Sequence, residues 1–153
     1  MMSLGAGMAL WFCALGIAPL MLSASQALRW ERDSLNRGQA VLLAQDLAHR
    51  LHLNASAASQ YQLNWGQQPT SLSCREQPCS RNEWAQSDLA QWRAQLAQIL
   101  PDGDTWLQTS GGGPNRWLVM AWASDAPPDT TSTARLPVAC PEHKRCLGLV
   151  LSP

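Results

Sequence analysis

The chain has 153 residues, a formal net charge of zero and only 14% charged residues, so it lacks the basic footprint that binding to nucleic acid requires. Eight tryptophans stand against one tyrosine and one phenylalanine, which makes indoles the main aromatic packing material. Once an N-terminal segment is set aside, the length suffices for about one small domain.

Met1 to Leu28 carries no charged residue and is long enough to span a bilayer as a helix. Gly5, Gly7, Gly16 and Pro19 loosen it, which neighbouring helices compensate in a membrane. Small residues around Ser23-Ala24-Ser25 and Ser25-Gln26-Ala27 offer a peptidase site, but no basic residue precedes Arg29, as a secretory signal would require. Leu10-Trp11-Phe12-Cys13 matches a lipobox only loosely. The apolar run flows into an amphipathic pattern over 29–53, where Leu35, Leu42, Leu43, Leu47 and Leu51 recur at helical spacings. Arg29, Arg32 and Arg37 alone would place the C-terminal domain inside the cell. The cysteines argue for the outside and weigh more.

Residues 54–153 read as one disulfide-stapled domain. Asn54 to Ser59 ends the helix, and Tyr61 to Asn82 is a polar loop with Pro69 and Pro78. Ser80-x-x-Glu83 is a capping box opening a second helix with Ala85, Leu89, Trp92, Leu96 and Ile99 on its apolar face. Pro101-Asp102-Gly103 stops it. Asp104–Thr109 and Arg116–Ala123 are short β-like runs joined by Ser110-Gly-Gly-Gly-Pro-Asn115. Alternation puts Trp117, Val119 and Ala121 on one face of the second run, and Leu118, Met120 and Trp122 on the other. Asp125 to Arg135 is a Pro/Thr/Ser-rich loop, and Cys146 to Leu151 a closing strand. The fold class is α+β: a long helix, a short second helix and a small antiparallel sheet.

Cys74, Cys79, Cys140 and Cys146 form two close pairs, the pattern of staples in an exported domain. Three connectivities are open to four cysteines, and the two local ones are preferred. Cys140, His143 and Cys146 also have a C-x2-H-x2-C spacing that offers zinc three ligands, but no second cluster accompanies them. No cofactor or catalytic constellation emerges. His49 and His52 fall in the helical repeat, Asp102 and Asp104 flank a turn glycine, and Ser110 to Gly113 lacks the Lys-Ser/Thr of a phosphate loop.

The order of parts resembles the type IV pilin fold, and its details resemble the PilV type of minor pilin, the type IV pilus modification protein. Ser3-Leu4 and Ala14-Leu-Gly-Ile-Ala-Pro-Leu20 resemble the opening stretch of such proteins. Asn36 to Leu51, followed by Asn54, resembles their A-x-x-L-A-x-D-L-x-x-R-M-R-x-N pattern. Cys79-Ser80, Ala85 to Trp92 and Leu100-Pro-Asp-Gly103 resemble their C-x(n)-A-x-x-D-L-x-x-W…L-P-x-G block. Trp117 to Trp122 and Cys140 to Pro153 resemble the closing strands. Aligned on Ser3-Leu4, the glutamate of the prepilin motif falls on Ala6, so no processed or methylated residue is carried over.

The resemblance implies a structural, non-enzymatic bacterial subunit that primes or caps a pilus fibre. It would cross the inner membrane once, keep its C-terminal domain in the periplasm, and enter surface pili or fimbriae. Its partners would be other minor pilins and pilus assembly components, with Leu15, Leu35, Leu42, Leu43 and Leu47 serving helix packing. The competing expectation is a secreted, tryptophan-rich binding domain released by cleavage near residue 25.

Overall fold

In a computed structural model the chain forms helix α1 (Ser3–Leu53), a 3₁₀ segment (Ala55–Gln60), helix α2 (Arg81–Ile99) and strands β1 (Asp104–Thr109), β2 (Arg116–Ala123) and β3 (Lys144–Leu151). The structure describes the backbone of 3–74, 76, 78–110, 113, 115–125 and 135–152, and side chains from Ser25 onward within those ranges. Most of the Pro/Thr/Ser-rich loop read from the sequence, 126–134, lies outside the described residues, as do the side chains of Cys13, Leu15, Ser23 and Ala24. The chain divides into two units, 1–34 and 35–153.

Among the described residues of the first unit α1 is the sole regular element, and 25–32 are all exposed, Leu28 and Trp30 included. Among the described residues, too, no helix is long and apolar enough to cross a membrane. The uncharged run from which a span is expected falls almost entirely on side chains outside that description.

The second unit is built on one stripe of α1. Ala40, Leu43, Ala44, Leu47 and Leu51 are buried, the i, i+3, i+4, i+7 rhythm that a helix needs to present one apolar side. The helix ends where the Asn54 amide bonds back to the Arg50 carbonyl at 3.1 Å and the Asn54 side chain donates to the Arg81 carbonyl at 2.8 Å. The side-chain bond ties the end of α1 to the first residue of α2.

Helix α2 starts on the expected capping box. The Ser80 amide donates to Glu83 Oε2 at 2.7 Å, and the Glu83 amide donates to Ser80 Oγ at 3.4 Å. Ala85, Leu89, Trp92 and Leu96 are buried as the spacing predicts, but Ile99 is exposed and Leu100 takes the last core place. The reason is backbone geometry: Leu100 leaves the helix in an extended conformation (φ −100°, ψ 128°), which swings its side chain inward. Gly103 sits so close behind that a Cβ there would lie 2.7 Å from Leu96 Cδ2.

The three strands form an antiparallel sheet in the order β1-β2-β3. Leu107 pairs with Leu118, and Leu118 with Leu149. Leu118, Met120 and Trp122 join the helix-side core, whereas Val119 and Ala121 face a second cluster with Trp65, Trp106, Leu136, Val138 and Cys140. The alternation expected for β2 is therefore present, with both sides buried. The strand stays buried on its outer face because the 135–140 segment lies over it. That close approach depends on Gly148, where any Cβ would collide with Leu136 Cδ2. β3 begins at Lys144, two residues before the run read from the sequence, because Lys144 and Arg145 pair with Ala123 and Trp122.

The two helices can each be tested by one substitution. Leu47→Ala empties a fully buried site and should cost about 2–5 kcal/mol in urea unfolding, against under about 0.5 for Leu42→Ala. Glu83 accepts the Ser80 amide and hydroxyl, which hold its carboxyl below the ordinary glutamate value. Its contribution to stability is therefore present above the unfolded pKa and lost as pH falls through the folded one. Ser80→Ala should move the Glu83 NMR titration back up toward the ordinary value.

Candidate functional site

The expected helix-packing leucines separate onto two sides of α1. Leu43 and Leu47 lie in the domain's own core, while Leu35 and Leu42 are 62% and 59% exposed. A helix turns about 100° per residue, so Leu35, Leu42 and Leu53 fall within about 20° of one another and nearly opposite the buried stripe. Leu53 is exposed too. In water such a ridge leaves apolar area uncovered at roughly 25 cal/mol per Å². Residues 35–53 thus present one apolar face closed by the domain and, on the other side, exposed leucines with Asp46 and His49 set between Leu42 and Leu53. Of Leu15 only the helical backbone is described.

The closed face is fixed by a polar bond inside the core. The indole N–H of Trp92, a fully buried residue, donates to the Leu43 carbonyl at 2.8 Å. The bond ties the middle of α2 directly to the backbone of α1. Nearby, Arg50 Nε bonds Asp46 Oδ2 one turn earlier at 2.9 Å, and its NH1 reaches Asp88 Oδ1 of α2 at 3.5 Å. The Tyr61 hydroxyl has one proton and two acceptors in reach, Asp88 Oδ2 at 2.7 Å and the Arg50 carbonyl at 3.4 Å. The carboxylate wins on distance and charge. Burial first, then the Asp88 carboxylate, push the Tyr61 pKa far above its ordinary value, so the phenol remains a donor.

A second junction ties α2 to the sheet. Arg93, buried along its length, donates to the Gly103 carbonyl at 3.0 Å and to Asp104 Oδ1 at 2.9 Å. Asp104 also accepts the amide of Gly66 at 3.0 Å, and Gly66 takes the left-handed φ of +70° that its turn requires. The sequence suggests turn chemistry at Asp104, and the structure makes it the hub of three segments. Asp102, its neighbour across the turn, pairs with Lys144 at 2.8 Å.

Cys74 is joined to Cys79, and Cys140 to Cys146. These are the two local connectivities. With both sulfurs bonded to each other, Cys140 and Cys146 are not thiolate ligands, and His143 is an exposed loop residue at φ 60°. His49 and His52 are both exposed on α1. Among the described residues no group of three or more His, Cys, Asp or Glu is placed to hold a metal ion.

In this geometry one helix supplies a buried stripe to the domain core and exposes Leu35, Leu42 and Leu53 on another side. A family model described as Tt1218-like, Type IV pilin Tt1218, matches residues 24–90, which run from α1 through the 3₁₀ segment into α2. That match covers less than half of the chain, and over it the sequence is similar to a type IV pilin, which supports a pilin-like structural role. No curated protein and no solved structure matches it.

The Tyr61 junction carries a pH test. Its folded pKa is raised, so its contribution is fully present below the unfolded value of about 10 and is lost as pH rises above it. Tyr61→Phe should cost about 1–3 kcal/mol near neutral pH. Urea unfolding should show a decline of stability above about pH 10 in the natural chain that the variant lacks in part.

Proposed function

We propose that this chain is a minor pilin of the PilV type. It waits in the bacterial inner membrane with residues 54–153 in the periplasm, and helps to prime or cap a type IV pilus fibre. The observation that carries the reading is the open ridge of Leu35 and Leu42, on the same helix whose other face closes the domain core. An unpartnered apolar ridge beside a fully satisfied one fits a helix that packs twice: once on its own domain, once on neighbouring subunits. The family match over 24–90 supports the same reading, since it covers this half of the helix. Met1 to Leu28, uncharged throughout, supplies the membrane half of the helix in this proposal.

The role is structural. The Arg93–Asp104 and Asp102–Lys144 pairs serve to hold turns and strands, and the two disulfides close short local loops. Partners are other minor pilins and the pilus assembly components, met through helix packing.

The test is substitution of the ridge. Leu42→Glu leaves the core intact and should abolish copurification with the other minor pilins, as should Leu15→Glu in the membrane half. Unchanged copurification with both variants overturns the proposal. A strain lacking the gene should shed far less sheared surface pilus and recover on complementation. Unchanged fibres, together with a natural protein beginning near Gln26, would point instead to a released binding domain.

A further inference from the structure

Between α2 and the chain at 72–74 lies a pocket of about 350 Å³, whose walls include Leu72, Trp84, Ser87, Asp88 and Gln91. Its size is at the lower end of small-ligand sites. Two polar side chains of that wall are tied to each other and to the backbone. The Ser87 hydroxyl donates to the Leu72 carbonyl at 3.0 Å, and the Gln91 amide donates to Ser87 Oγ at 3.2 Å. The Asp88 carboxylate, by contrast, has capacity to spare. It takes one short bond from Tyr61 at 2.7 Å and a long one from Arg50 at 3.5 Å, where an ionised carboxylate has about four acceptor positions. Arg50 makes its shorter bond to Asp46, so two carboxylates share one guanidinium and the group carries a formal charge of −1. Trp84 stands one helical turn before Asp88 on the same side of α2, and is 42% exposed. An indole that large, left open beside a carboxylate with unused lone pairs, matches the requirements of a cation on an apolar stem.

We propose that this pocket binds a primary ammonium or guanidinium group on an aliphatic stem, with the charge bonded to Asp88 and the cation and stem lying against the Trp84 ring. The net negative charge of Asp46, Asp88 and Arg50 beside the pocket selects against an anion. Tyr61 and Arg50 hold Asp88 from behind, so the carboxylate need not reorganise to receive its ligand. This site is independent of the α1 ridge and stands or falls separately from the assembly role.

The test is an amide-resolved NMR titration of the full-length chain in neutral detergent. The probes are agmatine and N-acetyl-arginine amide, and the uncharged control is N-acetyl-glutamine amide. Both cationic stems should give saturable shifts at the Trp84 indole N–H and the amides of 87–91, at least about tenfold tighter than the glutamine control. Asp88→Asn, which keeps an acceptor for Tyr61, should weaken binding about tenfold, and Trp84→Ala about threefold. The rest of each spectrum reports whether the variant is folded. Should Asp88→Asn not fold, the exposed Trp84 carries the test alone. Agmatine alone binding marks a diffusible amine as the ligand; equal binding of the capped residue marks a side chain of a partner protein. Absence of saturation, equal binding of the neutral control, or an affinity unchanged in Trp84→Ala overturns the proposal.

Discussion

The second unit depends on how much one face of α1 can bury. Ala40, Leu43, Ala44, Leu47 and Leu51 supply a narrow stripe, and the main core of 35–153 is assembled over it. Two of the five are alanines, so the stripe leaves room for large side chains from the other side: Trp92, Tyr61, Met120 and Trp122. A small-on-large interface of this kind packs densely in one register only. The bond from Trp92 to the Leu43 carbonyl adds a directional term to that register, since a displaced indole N–H would be buried without an acceptor.

Around this core the polar junctions divide the labour. Asp46, Arg50, Asp88 and Tyr61 hold the helices and the residue just past the 3₁₀ segment together, while Arg93, Asp104 and Gly66 hold α2 to the start of the sheet. The second junction is the more buried: the Arg93 and Asp104 side chains are 8% and 15% exposed. Removing one partner there would strand a charge, which is more damaging than the bond itself is stabilising. Exposed pairs such as Asp102 with Lys144 contribute little by comparison.

The elements were legible where a local rule governs them. The capping box at Ser80 and Glu83, the stop at Pro101 to Gly103, and the bounds of β1 and β2 each depend on residues within one turn or one hairpin. What local reading misses is what distant partners decide. Ile99 and Leu100 are equally apolar, and only the change of backbone conformation at residue 100 determines which one turns inward. The extension of β3 back to Lys144 comes from its register on β2. Leucines at helical spacing announce an amphipathic helix, but they do not announce two apolar faces: Leu42 and Leu43 are adjacent in sequence and about 100° apart on the helix. The pocket beside Trp84 had no sequence signal at all, because the groups that hold its carboxylate come from α1, α2 and Tyr61.

The disulfides close over sequence separations of five and six residues. On the chain-entropy view, loops that short remove only about 2 kcal/mol of freedom each from the unfolded chain. More telling is what they leave alone. Neither bridge links a helix to the sheet or one end of the domain to the other, so the covalent topology of the folded chain is that of a simple thread with two small knots of slack. Reduction would free the loop ends at Cys74, Cys79, Cys140 and Cys146, yet the path of the backbone through the core would remain dictated by packing and its buried polar bonds.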